Sequence, residues 1–254
     1  MKKFRGVFLK NDNEIALMRE ANHIVYLILQ AMAAEIRPGT ASMRFEEIAQ
    51  DLCGKYKVRP SFQGYRGFPY ALCCSINEEV VHGFPSAGRR LKEGDLVSLD
   101  MGVVLEGFHG DAARTFPVGE VSAAAARLLR FTAEALEDGT AAARPGNRLR
   151  DISAAVQKKA ETHNFGLIRR FVGHGVGSKL HEKPEIPNFV SEATPDLPLL
   201  AGMVLAIEPM FSLGSGEVDI LSDEWTAVTR DRSLAAHFEH SVAVTARGPL
   251  VLDC

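Results

Sequence analysis

The sequence is poor in cysteine, in excess charge and in long apolar runs. Four cysteines occur among 254 residues, and neither adjacent Cys73–Cys74 nor the separate Cys53 and Cys254 make a CxxC metal knuckle or an obvious disulfide framework. This usage favours a reducing compartment, so we expect a cytoplasmic protein. The formal net charge of -3 leaves no basic footprint for sequence-specific binding of nucleic acid.

Targeting and membrane segments are not evident either. The opening MKKFRGVFLKNDNE lacks the apolar core of a secretory signal. The longest apolar run, HIVYLILQAMAA, is too short to span a bilayer and is typical of a core helix. We therefore expect no membrane partner.

Several common catalytic motifs are missing. There is no G-x-S-x-G nucleophile elbow, and GHGVGSK has the wrong glycine spacing and residue order for a phosphate-binding loop. HEKPE is not H-E-x-x-H, and Pro184 would interrupt a helix there. With 46% hydrophobic and 24% charged residues, the composition is that of a globular protein with one large domain or two packed halves.

Helical periodicity appears in two pairs of segments, each joined by an Arg-Pro-Gly turn. Segment 36–52 matches segment 143–160, and LKEGDLVSLD, ending at Asp100, matches LLAGMVLAIE, ending at Glu208. Two matches at nearly one offset favour internal duplication. We predict an α/β protein with one catalytic domain, 1–254, whose halves (roughly 10–118 and 119–250) face each other across a pseudo-twofold. The predicted helices begin at Asn11 with Glu14, near Ser42, near Ser122 and near Leu149, and the last two end near Ala143 and Thr162.

Acidic residues occupy unusual positions in the predicted strands. Residues 95–118 predict a hairpin turned near Glu106–Gly107 that carries Asp100 and Asp111. Aspartate disfavours strands and is rarely buried without a partner. In the second half, HFEHSVAVTARG predicts one strand that places Glu239 opposite the strand ending at Glu208. Four acids from two halves would thus meet around metal ions.

His174 in GHGVG completes a set of five polar residues in apolar surroundings. Four carboxylates and an imidazole suit Mn, Fe, Co or Zn, and two divalent cations would neutralise the carboxylates. Carboxylates bridge ions about 3.5–4 Å apart, which lower the pKa of a bridging water to about 7 and polarise a carbonyl. Singly, Asp100 or His174 could be a turn residue and Glu208 a surface acid. Together they predict metal-assisted hydrolysis with the ligands Asp100, Asp111, His174, Glu208 and Glu239.

Two more histidines are candidate catalytic residues. His82 in VVHGFP and His181 in KLHEKP could orient the substrate amide, assist proton transfer or stabilise a tetrahedral intermediate. The alternative is an ordinary loop histidine. Cys73 could be a nucleophile, but without a motif we favour a place in the core or the pocket lining.

The motifs closely resemble those of the type I methionine aminopeptidases. The resemblance covers most of the chain beyond residue 64 and implies the pita-bread fold, two similar α/β halves around a dinuclear metal centre. It implies that Asp100 chelates one ion, that Asp111 and Glu239 bridge, and that His174 and Glu208 hold the other ion. The segments that carry it are GYRGFPYALCCSINEEVVHGFP, LDMGVVLEGFHGDAARTF, FVGHGVGSKLHEKPEIP, VLAIEPMF and EWTAVTRDRSLAAHFEHSVAVT.

The resemblance also implies a substrate and a reaction. The enzyme would remove initiator methionine from the N-termini of nascent polypeptides with a small second residue, and His82 and His181 would contact substrate. A bacterial-type, monomeric enzyme is expected, with ribosome association as a further expectation. Phe62, Tyr70–Ala71 and Leu180 depart from the family pattern. The expected substrate-binding residues are His82, His181, Tyr65, Phe68, Cys73, Leu180 and Trp225.

Other functions of the same fold are alternatives. X-Pro dipeptidases share the fold and the five ligands, but they usually carry an extra N-terminal domain. A non-catalytic binding module or a metal-independent hydrolase would have lost ligands, whereas all five are present here.

Overall fold

The computed structural model describes residues 2–193 and 196–253, so Cys254 lies outside the described residues. All four predicted helices are present, and each begins within one residue of the predicted start. The described helices are α1 (Asp12–Ala33), α2 (Met43–Tyr56), α3 (Ala123–Ala142) and α4 (Leu149–Thr162), together with a 3₁₀ turn at Tyr65–Gly67. No helix in these ranges is long and apolar enough to cross a membrane.

The start of α1 follows from its capping residues. Asn11 Oδ1 accepts a hydrogen bond from the Glu14 backbone N–H at 2.9 Å, and Glu14 Oε2 accepts one from the Asn11 backbone N–H at 2.8 Å. This reciprocal pair satisfies two N–H groups that the first helical turn cannot bond internally. The local sequence therefore sets where α1 begins.

The strands of the described residues fall into five small sheets. The N-terminal segment forms β1 (Lys2–Phe4) and β2 (Val7–Leu9). The first half contributes β3 (Arg59–Pro60), β4 (Leu72–Ile76), β5 (Glu79–Val81), β6 (Leu96–Leu105) and β7 (Phe108–Pro117). The second half contributes β8 (Gly166–Leu167), β9 (Gly173–Gly175), β10 (Glu182–Ile186), β11 (Val204–Ile207), β12 (Met210–Ser212), β13 (Val218–Ile220), β14 (Ala227–Thr229), β15 (Ala235–His237), β16 (His240–Thr245) and β17 (Gly248–Val251).

The predicted hairpin of the first half is confirmed. Strands β6 and β7 pair antiparallel over ten residues each, from Leu96 opposite Pro117 to Leu105 opposite Phe108. The turn residues Glu106 and Gly107 have φ values of 47° and 86°, the left-handed conformation that two-residue hairpin turns require. Strand β4 flanks β6 on its other side.

The second half carries a comparable ribbon that is interrupted. Strand β11 pairs with β16, and β12, which follows after two residues, pairs with β15. The single strand predicted across residues 237–248 is therefore wrong, because β15 and β16 belong to different sheets. Pro209, which cannot donate a ladder hydrogen bond, lies in the break on one strand, and Phe238–Glu239 form the break on the other.

Each helix pair covers the outer face of its ribbon. The apolar side of α1, including Val25 and Leu29, packs on β6–β7 residues such as Leu99 and Met101. Helices α3 and α4 cover β11 and β16 in the same way, with Ile152 against Ile207 and Val242. The inner faces are left to line a cavity between the halves.

The two ribbons join directly. The Glu239 backbone N–H donates to the Ala113 carbonyl at 2.9 Å, and the Ser241 hydroxyl donates to the Asp111 carbonyl at 2.9 Å. Strand β7 therefore runs beside the segment that carries Glu239. This contact brings acids from the two halves to one place.

Candidate metal centre

Two of the predicted ligands lie on one face of the β6–β7 hairpin. Asp100 pairs with Ala113 and Asp111 with Gly102, so the two aspartates are diagonal neighbours across the ladder. Paired residues project to the same side of a sheet. Because their opposite residues are small, both carboxylates can turn into the space above the strands.

Helix α1 supports Asp111 from behind. The Asn22 side chain, fully buried, accepts a hydrogen bond from the Asp111 N–H at 3.0 Å. A Cβ on Gly110 would lie 2.6 Å from backbone atoms of Ala21 and Asn22. Only glycine at this position therefore lets α1 approach the strand closely enough to hold Asp111.

The other three predicted ligands come from the second half. His174 is in β9 opposite Ala206 of β11, and Glu208 and Glu239 lie in the two breaks of the second ribbon. The His174 Nε2 atom lies 3.8 Å from Asp111 Oδ2 and 3.6 Å from Glu208 Oε1. Ligand atoms of Asp111, His174 and Glu239 all lie within 4.8 Å of one another. The structure thus brings residues of both halves to one point.

Three carboxylate oxygens at this point have no hydrogen-bond partner in the part of the chain that the structure describes. Among the described residues, Asp100 Oδ1, Asp111 Oδ1 and Glu239 Oε1 are buried without a hydrogen bond. Buried carboxylate oxygens are normally paired or bound to a cation. Orphaned oxygens beside one imidazole are the hard donor set that divalent cations take. The residues present fit a metal centre.

Burial dominates the electrostatics of the cluster. It raises the pKa of Asp100 to about 7. Burial, and after it the neighbouring carboxylates, raise the pKa values of Asp111, Glu208 and Glu239 well above their ordinary range. Burial also lowers the pKa of His174 to about 4, leaving a neutral imidazole. Cations would reverse the carboxylate shifts, because they favour the charged forms.

Both candidate catalytic histidines face the same cavity. The His181 Nδ1 atom is 2.9 Å from the Tyr65 hydroxyl, and the His181 ring centroid is 4.2 Å from that of His174. His82 adopts a left-handed backbone conformation with φ of 62°, and its ring meets Phe171 edge-on at 5.3 Å. Left-handed backbone in a residue other than glycine is uncommon and clusters at functional sites.

These two histidines are neutral near pH 7. Burial lowers the pKa of His82 to about 4. The His181 side chain opens to solvent, but partial withdrawal of its ring from water, followed by the nearby His174 and Arg66, lowers its pKa to about 3. A neutral imidazole can donate through one nitrogen and accept through the other, as contact with a substrate amide requires.

An apolar cluster forms one side of the cavity. Phe68 meets Trp225 edge-on, with ring centroids 5.1 Å apart, and Leu180 is 3% exposed. The departure at Phe62 falls in this cluster, whereas Tyr70 packs at its edge against Phe84. The cluster of buried side chains comprises Phe62, Phe68, Cys73 and Leu180, with Tyr65, Tyr70, Phe84 and Trp225 packed against it.

Every site residue expected from the sequence lines one cavity of about 320 Å³. Cys73 is opposite Asp100 in the β4–β6 ladder and lines this cavity, as the pocket-lining interpretation predicts. Burial, followed by the charge of Asp100, raises the pKa of its thiol well above the ordinary value, which disfavours the thiolate that a nucleophile requires. The residues brought together are Tyr65, Phe68, Cys73, His82, Asp100, Asp111, His174, Leu180, His181, Glu208, Trp225 and Glu239.

Some lining residues were not found from the sequence. His237, Arg66, Arg170 and Phe171 also border the cavity. For His237 a signal was present, because it lies two residues before Glu239 in an alternating segment, and period two places such residues on one face. Arg66 lies in the 3₁₀ turn and Arg170 in an irregular segment, and neither belongs to a sequence pattern that would have indicated a site.

Comparison with known proteins places this geometry in a family. Residues 16–246 match the model of Metallopeptidase family M24. The chain belongs to this family. M24 relatives named methionine aminopeptidase include one from Clostridium perfringens, 48% identical over 97% of this chain and 98% of the relative. Another, from Bacillus subtilis, is 45% identical over 95% of this chain and 97% of the relative.

Solved structures of M24 relatives confirm the predicted pita-bread fold. A methionine aminopeptidase from Thermotoga maritima superposes with a TM-score of 0.94 at 43% identity, covering 97% of this chain and 99% of that chain. A prolidase from Pyrococcus furiosus has a TM-score of 0.79 at 22% identity, and the match covers 65% of its length. The second likeness shows the fold alone.

Proposed function

We propose that this M24 chain is a metal-dependent aminopeptidase that removes the N-terminal methionine of nascent proteins whose second residue is small. The observation that carries the proposal is the juxtaposition, in one cavity, of five metal-type ligands and an aromatic-rich apolar cluster. Relatives of nearly the same length named methionine aminopeptidase support it. X-Pro dipeptidase activity is not favoured, because the prolidase likeness is limited to the fold.

The metal centre would hold two divalent ions. In this proposal Asp100 would hold one ion, His174 and Glu208 would hold the other, and Asp111 and Glu239 would serve both; Fe, Mn, Co and Zn all suit the donor set. When bound, such ions polarise a carbonyl and lower the pKa of water. The Nε2 atom of His174 lies 3.8 Å from Asp111 Oδ2 and 3.6 Å from Glu208 Oε1, so these three side chains are close enough to hold one cation together.

The remaining site residues would bind and orient substrate. His82 and His181 enter the cavity from two loops, and as neutral imidazoles they would contact the scissile amide. The apolar cluster would receive the methionine side chain, because thioether sulfur gains about 0.3–1.5 kcal/mol per good contact with an aromatic ring. Tyr65 would hold His181 in place through the 2.9 Å contact between its hydroxyl and Nδ1.

A comparison of two substrates tests this function. Purified protein is incubated with Met-Ala-Ser and with Ala-Pro, each with and without chelator. We expect cleavage of the methionyl peptide only, lost with chelator and restored by divalent metal. Cleavage of Ala-Pro would support an X-Pro peptidase. Binding of the peptides without cleavage would support a non-catalytic module. Cleavage that continues in the presence of chelator would support a metal-independent hydrolase.

We also propose the setting in which the enzyme acts. Its partners would be emerging N-termini, with association with the ribosome, and it would work as a cytoplasmic monomer. We further propose that the halves 10–118 and 119–250 arose by duplication, since each begins with a long helix followed by a 14-residue helix. Sizing chromatography and cosedimentation with ribosomes test the first two statements.

A further inference from the structure

His237 is a histidine of the cavity to which the proposed chemistry assigns no role. It ends strand β15 and is 2% exposed. Its backbone N–H donates to the Thr115 hydroxyl at 2.8 Å, and that hydroxyl donates to the His237 carbonyl at 2.8 Å. The backbone of His237 is therefore fixed to β7 of the other half, and only its ring can adjust.

The ring is directed at Glu208. Its Nε2 atom lies 3.7 Å from Glu208 Oε2 and is buried with no hydrogen-bond partner among the described residues. An orphaned buried nitrogen is costly unless a partner becomes available in a functional state. The Glu208 carboxylate, 3.7 Å away, is an acceptor of that kind.

Glu208 is thus flanked by two imidazoles, one at each oxygen. His174 Nε2 is 3.6 Å from Oε1, and His237 Nε2 is 3.7 Å from Oε2. A carboxylate accepts only, so a hydrogen bond at Oε2 requires His237 in the tautomer with the proton on Nε2. Such a bond would leave Oε1 facing His174 and the remaining ligands.

We propose that His237 is a positioning residue that donates a hydrogen bond from Nε2 to Glu208 Oε2 and so fixes Oε1 for the metal. The contact must shorten by about 0.5–1 Å to reach hydrogen-bond length, as contacts at active sites commonly do when the ligand binds. The inference rests on the proposed metal centre, in which Glu208 is a ligand. Partners that orient metal-binding carboxylates typically change metal affinity about 10–100-fold when removed.

The test measures metal binding, so it does not depend on peptide turnover. Metal-free wild type, His237→Ala and His237→Gln are titrated with Co²⁺ by calorimetry and by visible absorption, and the unfolding temperature of each metal-free protein is recorded. We expect His237→Ala to weaken one of the two Co²⁺ sites about 10–100-fold. His237→Gln retains an N–H donor of similar reach and should restore most of the affinity.

A matched histidine provides the control. His163 stacks on Phe131 with ring centroids 3.6 Å apart and does not border the cavity, so His163→Ala should bind Co²⁺ as wild type does.

Three outcomes would overturn the proposal. Unchanged Co²⁺ affinity in a folded His237→Ala protein would show that the ring only fills space. An equal loss in the Ala and Gln variants, with an altered Co²⁺ spectrum, would indicate that His237 is itself a ligand. If both variants unfold at a lower temperature and bind Co²⁺ more weakly at both sites, His237 has a structural role. Failure of the wild type to cleave Met-Ala-Ser would count against the proposed function while leaving this binding test intact.

Discussion

Glu208 and Glu239 lie opposite each other at the point where both strands of the second ribbon are interrupted. Ile207 pairs with His240 on one side of the break and Met210 with His237 on the other. Two buried like charges in register are unfavourable unless a cation lies between them. Because the ladder is interrupted here, Glu208 and Glu239 line the cavity instead of occupying positions in a regular β-ladder.

Replacing Glu239 by Ala tests the bridging role proposed for it. Removing one carboxylate from the shared set should abolish tight binding of a second metal ion and lower kcat/KM by at least about 10²-fold, since a metal supplies several kcal/mol of transition-state stabilisation. Metal content and turnover of Met-Ala-Ser measure both effects. Glu161→Ala, at an exposed position of α4, is the matched control. Full activity of Glu239→Ala would exclude a dinuclear centre with Glu239 as a bridge.

Once a chelator has removed metal, the stability of the folded protein should fall as pH rises. Because burial raises the pKa of Asp100 to about 7, the metal-free folded protein retains a proton that the unfolded chain releases near pH 4. The stabilisation that this bound proton gives the folded state is fully present below the pKa of Asp100 in the unfolded chain. It is lost as pH rises through 7. Between pH 6 and pH 8, ionisation of Asp100 alone should lower the free energy of unfolding by about 1 kcal/mol. This corresponds to a decrease of about 2–4 °C in the unfolding temperature.

The pH effect should be specific to the metal-free protein. Added Co²⁺ or Mn²⁺ should reduce the difference between pH 6 and pH 8, because a cation stabilises the ionised carboxylates. The variant Asp100→Asn should show a smaller difference without metal. Calorimetric scans at both pH values measure this, and a chelated protein that is more stable at pH 8 would contradict it.

His82 and His181 are expected to support turnover without holding metal. Replacing either by Ala should lower kcat by about 10²–10⁴-fold, the usual scale for acid–base or electrostatic assistance, with metal content near that of wild type. Tyr65→Phe, which removes only the hydroxyl next to His181, should have a smaller effect. Loss of metal together with activity would instead make these histidines ligands or scaffold.

The methionine pocket should discriminate weakly against norleucine. Leu180 contributes an aliphatic rather than an aromatic side chain to the apolar cluster, in which Phe62 also lies. Shape alone distinguishes one methylene by only about 1–3 kcal/mol. We expect kcat/KM for Met-Ala-Ser to exceed that for the norleucine peptide by less than about tenfold, since a sulfur–aromatic contact contributes about 0.3–1.5 kcal/mol.

Two substitutions in opposite directions check the sulfur–aromatic explanation. Leu180→Phe adds a ring and should widen the preference for methionine, whereas Phe62→Leu removes one and should narrow it. The ratio of kcat/KM for the two peptides is measured in each variant. A wild-type preference far above tenfold, or a narrower preference in Leu180→Phe, would show that the explanation is wrong here.

Features with local causes could be predicted from the sequence. The start of α1 is set by the capping pair Asn11 and Glu14. The β6–β7 turn is formed by Glu106 and Gly107, which adopt the left-handed backbone conformation. The same holds for the alternation that placed Asp100 and Asp111 in one hairpin. For such elements, sequence periodicity and capping are sufficient.

Features that depend on distant partners could not be predicted. The interruption at Phe238–Glu239 exists because β15 and β16 pair with different strands. Support of Asp111 by Asn22 requires α1 to contact a strand 89 residues away, so in the sequence Asn22 is only a polar residue within an apolar stripe. The contact of His237 with Glu208 likewise depends on the pairing of β12 with β15, two strands that are separate in the sequence.

The hydrogen bond between the Glu239 backbone and Ala113 has a consequence for the order of folding. Asp100 and Asp111 share a hairpin that closes locally, but their three companions lie far along the sequence and reach them only through contacts between the halves. Forming such distant contacts is entropically slow, and they generally come late in folding. Tight metal binding would therefore require contacts that form late in folding, and loosening of either half would weaken it.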